Sequence, residues 1–332
     1  MIISRTPFRI SFFGGGTDYP AWFKDHPGAA LATTIDKYCY ITARYLPPFF
    51  DHRSRIIYSK MEHVQGIDEI DHPAVRETLR FLDIQKGIEI HHDGDLPART
   101  GLGSSSSFTV GLLNVLYALK GTMPTKDQLA REAIHIEQQM IRENVGCQDQ
   151  LLAAHGGFCH MEFGGAGHLD LRKVIMSQEE LTRLQDHMMI FFTGVSRTAS
   201  EIAAHQVANI PRRTRELGAI YDMVGAALAC LNAADFKSFG KLLDESWKLK
   251  RSLSDKITTP DIDAIYDQAM KAGALGGKLL GAGGGGFVLV YAEPDKKPAV
   301  RKALSSLLEI PFKFETLGSQ IIFYQPNSGV VA

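Results

Sequence analysis

The stretch Pro97-Ala98-Arg99-Thr100-Gly101-Leu102-Gly103-Ser104-Ser105-Ser106-Ser107 decides how this chain is read. A glycine-bracketed turn runs into four serines. After it Phe108, Leu112, Val115, Leu116 and Leu119 recur at helical spacing. Serine caps helix starts well. The first turn of a helix leaves backbone N–H groups without partners and carries partial positive charge. Glycine lets another chemical group come close to that backbone. Together these features make a cradle for phosphate. An ordinary capped helix is the plainer alternative, but a single cap needs one serine, not Gly-Leu-Gly and four. No Gly-Lys-Ser or Gly-Lys-Thr closes the stretch, so it is not the common phosphate loop.

The chain has 332 residues, enough for a large core and most simply two domains. A formal net charge of -1 gives no reason to expect nucleic acid or an anionic membrane as partner. Cys39, Cys147, Cys159 and Cys230 stand far apart, and no Cys-x-x-Cys occurs. A zinc cage or a disulfide framework is therefore not expected. The start Met-Ile-Ile-Ser-Arg is strand-like rather than a signal peptide, and no apolar run reaches membrane-spanning length. The expectation is a cytoplasmic protein.

Working outward, residues 2–13 read as extended structure broken at Pro7, ending in Gly14-Gly15-Gly16-Thr17-Asp18-Tyr19-Pro20. A hairpin turn explains that glycine run as well as a close approach to a ligand does. Arg9 alternates with Phe8 and Ile10, and an arginine buried in a strand needs an anionic partner. Residues 29–35 and 38–45 are strand candidates, with weaker ones at 56–58 and 87–92. A helix is predicted over about 127–144 with Thr125 as its cap. Glu137 falls inside its apolar stripe of Leu129, Ala130, Ala133, Ile134, Met140 and Ile141. An inward carboxylate needs a lysine, an arginine or a divalent metal. Asp149 lies in the first turn of a following helix and, taken alone, reads as a helix-start residue.

Strands are predicted at 156–163 and 188–194. Helical texture then dominates from 200 to about 272, which puts a domain division somewhere around 165–195. A third glycine run spans 273–287. Gly281, Gly283 and Gly286 match the dinucleotide fingerprint by letters. The expected order there is helix, then glycines, then a strand at 287–292, the reverse of what that fingerprint requires. A helix near 295–308 and strands at 312–316 and 320–324 complete the chain.

Three of these stretches, in this order, resemble the GHMP kinase superfamily: Arg5-Thr-Pro-Phe-Arg-Ile-Ser-Phe-Phe-Gly-Gly-Gly-Thr-Asp18, the 97–107 stretch, and 278–287. Within it, Gly14-Gly-Gly-Thr-Asp18 is most like the heptose phosphate kinases, whereas galactokinases typically carry Gly-Glu-His-Thr-Asp there. The resemblance implies an α+β, two-layer fold of two domains. Residues 1–185 would form a ribosomal-S5-domain-2-like domain and 186–332 a ferredoxin-like one, with the site between them.

It also implies roles for particular residues. Pro97, Gly101, Leu102, Gly103, Ser104, Ser105, Ser106 and Ser107 would wrap the phosphates of ATP. Ser105 and Glu137 would hold Mg2+. Asp149 would be the catalytic base and Arg9 the arginine beside it. Gly15, Gly16, Thr17 and Asp18 would face the substrate, and Gly281 to Gly286, with Gly283 and Gly284 among the substrate residues, would close the site near the transferred phosphate. Arg197, helped by Ser196 and Thr198, is a candidate for a phosphate already on the sugar, with an ordinary surface arginine as the alternative. The activity implied is phosphorylation of the anomeric C1 hydroxyl of D-glycero-D-manno-heptose 7-phosphate. Another sugar 1-kinase, or a non-catalytic sensor on the same scaffold, is the alternative. Partners would be a small sugar or sugar phosphate, not nucleic acid or a membrane, with room for a homodimer.

Overall fold

In the computed structural model, which describes residues 1–98, 100–194 and 199–326, the strand β1 (Ile2–Phe13) runs unbroken through Pro7. Proline has no N–H to give a ladder. The chain answers with a register shift against β2 (Gly28–Tyr45) between Pro7 and Phe8. Tyr38 pairs with Pro7 and Ile35 with Phe8, so Asp36 and Lys37 bulge out of β2. The two strands expected at 29–35 and 38–45 are thus one bent strand.

Seven further strands are β3 (Ser54–Ile57), β4 (Met61–Val64), β5 (Ile88–Gly94), β6 (Phe158–Gly164), β7 (His168–Lys173), β12 (Phe314–Glu315) and β13 (Gln320–Tyr324). With β1 and β2 they form a nine-stranded sheet, ordered β13-β1-β2-β5-β3-β4 along its main path. One edge of β2 is shared by β6, β12 and β5 in succession. The Ser104–Leu119 helix packs across β1 and β2. It comes close because Gly111 has no side chain: a Cβ there would sit 2.7 Å from Thr6 Oγ1. Beyond Arg5, where pairing with β13 ends, β1 is met by the glycine–serine stretch. The Arg9 N–H donates to Leu102 O at 3.0 Å, and Ser107 Oγ donates to Pro7 O at 2.9 Å.

A second sheet has the order β11-β8-β10-β9, from β8 (Met188–Phe192), β9 (Gly276–Leu279), β10 (Phe287–Tyr291) and β11 (Leu308–Glu309). The Phe236–Ser252 helix packs on β9, with Trp247 fully buried. The fold is mixed helix and sheet in two sheets, the α+β class. A single division at 185/186 does not describe it fully. The chain leaves the first sheet after β7, but β12 and β13 return to pair with β2 and β1. Among the described residues, no helix is long and apolar enough to cross a membrane.

Two local expectations change. The helix predicted over 127–144 is α-helical only over Lys126–His135, capped by Thr125, whose Oγ1 accepts the Gln128 N–H at 3.1 Å. Ile136–Met140, which holds Glu137, winds as a π-turn, a wider coil that re-aims side chains. The third glycine run does follow a helix, Pro260–Lys271, as expected, but it contains the strand β9, and its glycines from Gly281 to Gly286 form the turn of the β9–β10 hairpin.

That hairpin turn packs onto the 97–107 stretch, backbone against backbone. A Cβ on Gly101 would lie 2.3 Å from Leu280 O, and one on Gly281 2.4 Å from Gly101 Cα. Phe287 N–H donates to Thr100 O at 3.2 Å. Gly281 also has φ +76°, the left-handed region that costs other residues about 1–3 kcal/mol. Gly281→Ala should therefore destabilise the protein by roughly 2 kcal/mol or more. Denaturant unfolding checks this, and an unchanged midpoint would contradict the close packing.

Candidate active site

Arg9 reaches from β1 to the Gln148–His155 helix. Its Nε donates to Asp149 Oδ1 and its Nη2 to Asp149 Oδ2, both at 2.7 Å. Its third arm, Nη1, donates to Gly101 O at 2.6 Å. A planar guanidinium fits a carboxylate in this two-bond manner, which fixes the carboxylate's orientation. Gly103 lies directly over the pair: a Cβ there would be 3.1 Å from Arg9 Cγ and 3.4 Å from Asp149 Oδ2. Gly103, at φ 75°, is also the residue that caps the Ser104–Leu119 helix, in place of the serine cap expected. The first turn of that helix and the Arg9–Asp149 pair thus share one cleft of about 210 Å3.

The serines behind Gly103 divide by direction. Ser104, Ser105 and Ser106 line the cleft, whereas Ser107 is spent on Pro7 O. Leu102 is buried in the core, and exposed Pro97 accepts the Thr100 hydroxyl at 2.7 Å, away from the cleft lining. Ser106, rather than Ser105, is bonded to Glu137: its Oγ donates to Oε2 at 2.9 Å, and Gln150 Nε2 donates to the same oxygen. Glu137 is 1% exposed, and its Oε1 is buried with no hydrogen-bond partner. Burial pushes its carboxyl up to about 7, against the pull of Thr109, Gln150 and Ser106.

An orphaned carboxylate oxygen beside serine hydroxyls suits Mg2+, a hard cation that takes oxygen ligands and keeps several waters. Among the described residues no cluster of three His, Cys, Asp or Glu side chains could hold a metal. A single-carboxylate Mg2+ site does not require one.

The loop after β1 also lines the cleft. Asp18 accepts the Gly16 N–H at 3.0 Å through Oδ1 and Gln148 Nε2 at 2.9 Å through Oδ2. Ser11 Oγ steadies Gln148 by donating to its Oε1 at 2.7 Å. Burial raises the Asp18 pKa. Gly15, Gly16, Asp18 and Tyr19 line the cleft. Thr17 does not: its Oγ1 lies 2.8 Å from both Gly14 O and Ala29 O and accepts the Ala29 N–H at 3.1 Å. Thr17 is thus a latch holding the loop to β2. Gly283 and Gly284 are also set back. A Cβ at Gly283 would meet Ile257 Cα at 2.7 Å, and Gly284 N–H donates to Ile257 O at 2.9 Å. Of the expected stretch 281–286, Gly281 and Ala282 do line the cleft. Arg197, with Ser196 and Thr198, lies outside the described residues.

Three cleft residues to which the sequence reading gave no role stand out. Lys250 donates to Gly281 O, and Lys278 Nζ donates to Phe12 O at 2.8 Å. Both are buried. Burial, aided by the charge of Arg9, pushes the Lys250 amine down to about 8, and burial pushes Lys278 down well below the usual lysine range. Gln206 is the third. A signal for Lys250 did exist. It continues the buried stripe Leu243, Ser246, Trp247, as Glu137 does in its own helix.

A family model described as GHMP kinases N terminal domain matches residues 71–157, and one described as GHMP kinases C terminal matches 227–310. The chain belongs to the GHMP kinases, and it is an ATP-dependent phosphotransferase. It is similar to a D-glycero-alpha-D-manno-heptose 7-phosphate kinase of Campylobacter jejuni, 27% identical over 91% of this chain and 93% of that one. A galactokinase of Pyrococcus furiosus is 24% identical over 99% of each chain. The crystal structure of a D-glycero-D-manno-heptose 1-phosphate kinase from Bacteriodes thetaiotaomicron shares the fold. Its TM-score is 0.78, at 23% identity, covering 99% of this chain and 100% of that one.

Glu137 binds its proton more tightly in the folded than in the unfolded chain, from 4.5 up to about 7. Its contribution to stability is therefore intact below pH 4.5 and lost as pH rises through 7. The loss is on the order of 3 kcal/mol, at about 1.4 kcal/mol per pKa unit. Denaturant unfolding in a chelator between pH 5 and 8 should show this fall, and Glu137→Gln should flatten it. An equal slope in the variant would exclude Glu137 as its source.

Proposed function

We propose that this chain transfers the terminal phosphoryl group of ATP to the anomeric C1 hydroxyl of D-glycero-D-manno-heptose 7-phosphate, giving the 1,7-bisphosphate. The coarser statement is that it is an ATP-dependent sugar kinase, and that does not depend on which sugar is taken. One observation carries the reading: the Asp149 carboxylate, fixed by Arg9, opens onto the same cleft as the first turn of the Ser104–Leu119 helix.

In this reading the N–H groups at the start of that helix hold the ATP phosphates, with the helix dipole adding to the attraction. Phosphoryl transfer asks mainly for positioning and for neutralisation of charge. Arg9 brings a cationic side chain to the cleft for that purpose, and Lys250 and Lys278 bring two amines whose charged forms bound phosphate would favour. Glu137 and the serines of the first turn, Ser105 and Ser106, would hold Mg2+, which neutralises and orients the phosphates. Asp149 takes the proton from the acceptor hydroxyl. An anomeric hydroxyl is more acidic than an ordinary alcohol, so a carboxylate is basic enough. Asp18 receives hydroxyls of the sugar. The two lobes are residues 1–185 with the returning β12 and β13, and the rest of 186–332.

The heptose phosphate acceptor is supported by the Gly14-Gly-Gly-Thr-Asp18 loop and by the likeness to the Campylobacter enzyme. ATP supply puts the reaction in the cytoplasm.

A kinase assay over sugars and sugar phosphates tests the acceptor. Heptose 7-phosphate should be turned over best, and equal turnover of free hexoses would overturn that choice. Asp149→Asn should lower kcat by about 100-fold or more while ATP affinity stays near that of the parent. Near-normal turnover in this variant would remove Asp149 as base.

A further inference from the structure

One polar group in the cleft has no use in the chemistry above. Gln206, on the Ala199–Asn209 helix, is 7% exposed and lines the cleft with Ala203 one turn before it. Its Nε2 is buried and has no hydrogen-bond partner. Buried amide N–H groups are nearly always paired, because an unpaired one has lost its water for nothing. A helix side chain kept in this state, and facing a cleft, points to a bond made by a ligand.

Its position says which ligand. Asn209 Nδ2 donates to Leu253 O at 3.0 Å, tying the end of the Gln206 helix to the end of the Phe236–Ser252 helix. Leu253 also reaches the loop after β1, where a Cβ on Gly16 would meet its Cδ1 at 3.7 Å. Gln206 therefore lines the same cleft as Gly16 and Asp18, on the helix whose end is tied through Leu253 to the loop after β1. Asp18 offers carboxylate oxygens there, which accept hydrogen bonds. Gln206 offers the missing complement, a donor. A polyhydroxylated acceptor carries groups of both kinds.

We propose that Gln206 is a specificity-determining residue whose Nε2 donates to an oxygen of the acceptor, either a hydroxyl or a phosphate oxygen. This rests on the reading of the cleft as a kinase site. The turnover panel on the unaltered protein tests that reading separately: if no sugar is turned over, the acceptor site and this role fall together.

With an active parent, Gln206→Leu and Gln206→Glu isolate the amide. Gln206→Leu should raise the acceptor KM about tenfold or more, leave the ATP KM within about twofold, and keep or raise the unfolding midpoint, since it removes an unpaired buried donor. Gln206→Glu distinguishes the two oxygens. Against a phosphate its charge repels, so heptose 7-phosphate should be used worse than by the leucine variant. Against a hydroxyl it can accept a hydrogen bond, so it should be used better. An acceptor KM within twofold of the parent in Gln206→Leu would overturn the proposal. So would a fall in the unfolding midpoint with both KM values raised together, the mark of a merely structural residue.

Discussion

The three bonds of the Arg9 guanidinium hold the cleft in shape. Two go to Asp149 and one to Gly101 O, so one side chain joins β1, the glycine–serine stretch and the Gln148–His155 helix. The backbone of the same residue adds a fourth tie, its N–H donating to Leu102 O. The Arg9 side chain is 7% exposed and that of Asp149 24%. Removing either partner would leave a largely buried charge unpaired, which is far costlier than losing a surface ion pair. The constraint propagates outward. Gly103 must lack a side chain to lie over the pair, and Gly101 must lack one to meet Leu280. The approach of two glycine turns, one from each sheet region, follows from the demand that this arginine lie under a helix start.

The cleft, with Glu137 set behind its serine wall, is built at a cost to the folded chain. Asp18, Glu137, Lys250 and Lys278 are each shifted by burial toward their neutral forms. Neither lysine has a carboxylate within ion-pair distance among the described residues, and each rests on one backbone carbonyl. A domain selected for stability alone would bury apolar groups at these places. Charged phosphates and a cation entering the cleft would give these groups the partners they lack. Clusters of such shifted groups mark functional sites for this reason.

What could be read from the sequence was chemistry with a local signature. Gly101, Gly103 and Gly281 stand out because their positions need a left-handed backbone or a bare Cα. Glu137 stands out because a carboxylate interrupts an apolar stripe, and Arg9 because it sits between buried strand residues. The parts that stayed hidden depend on contacts distant in sequence. Lys250 acquires its meaning only when the β9–β10 turn brings Gly281 O to it. Gln206 looks like any helix glutamine until the fold brings it to the same cleft as the loop after β1. The π-turn around Glu137 follows the same hydrophobic spacing as an α-helix, so periodicity alone could not reveal it. The return of β12 and β13 to the first sheet is likewise invisible locally, since a strand's pattern does not name its neighbours.

The most direct test is a crystal structure with Mg2+ and a non-hydrolysable ATP analogue. The account predicts the terminal phosphates on the backbone N–H groups at the start of the Ser104–Leu119 helix, with the terminal phosphorus facing Asp149 and the metal within reach of Glu137. A nucleotide whose phosphates lie outside this cleft, away from both Arg9 and Glu137, would contradict it.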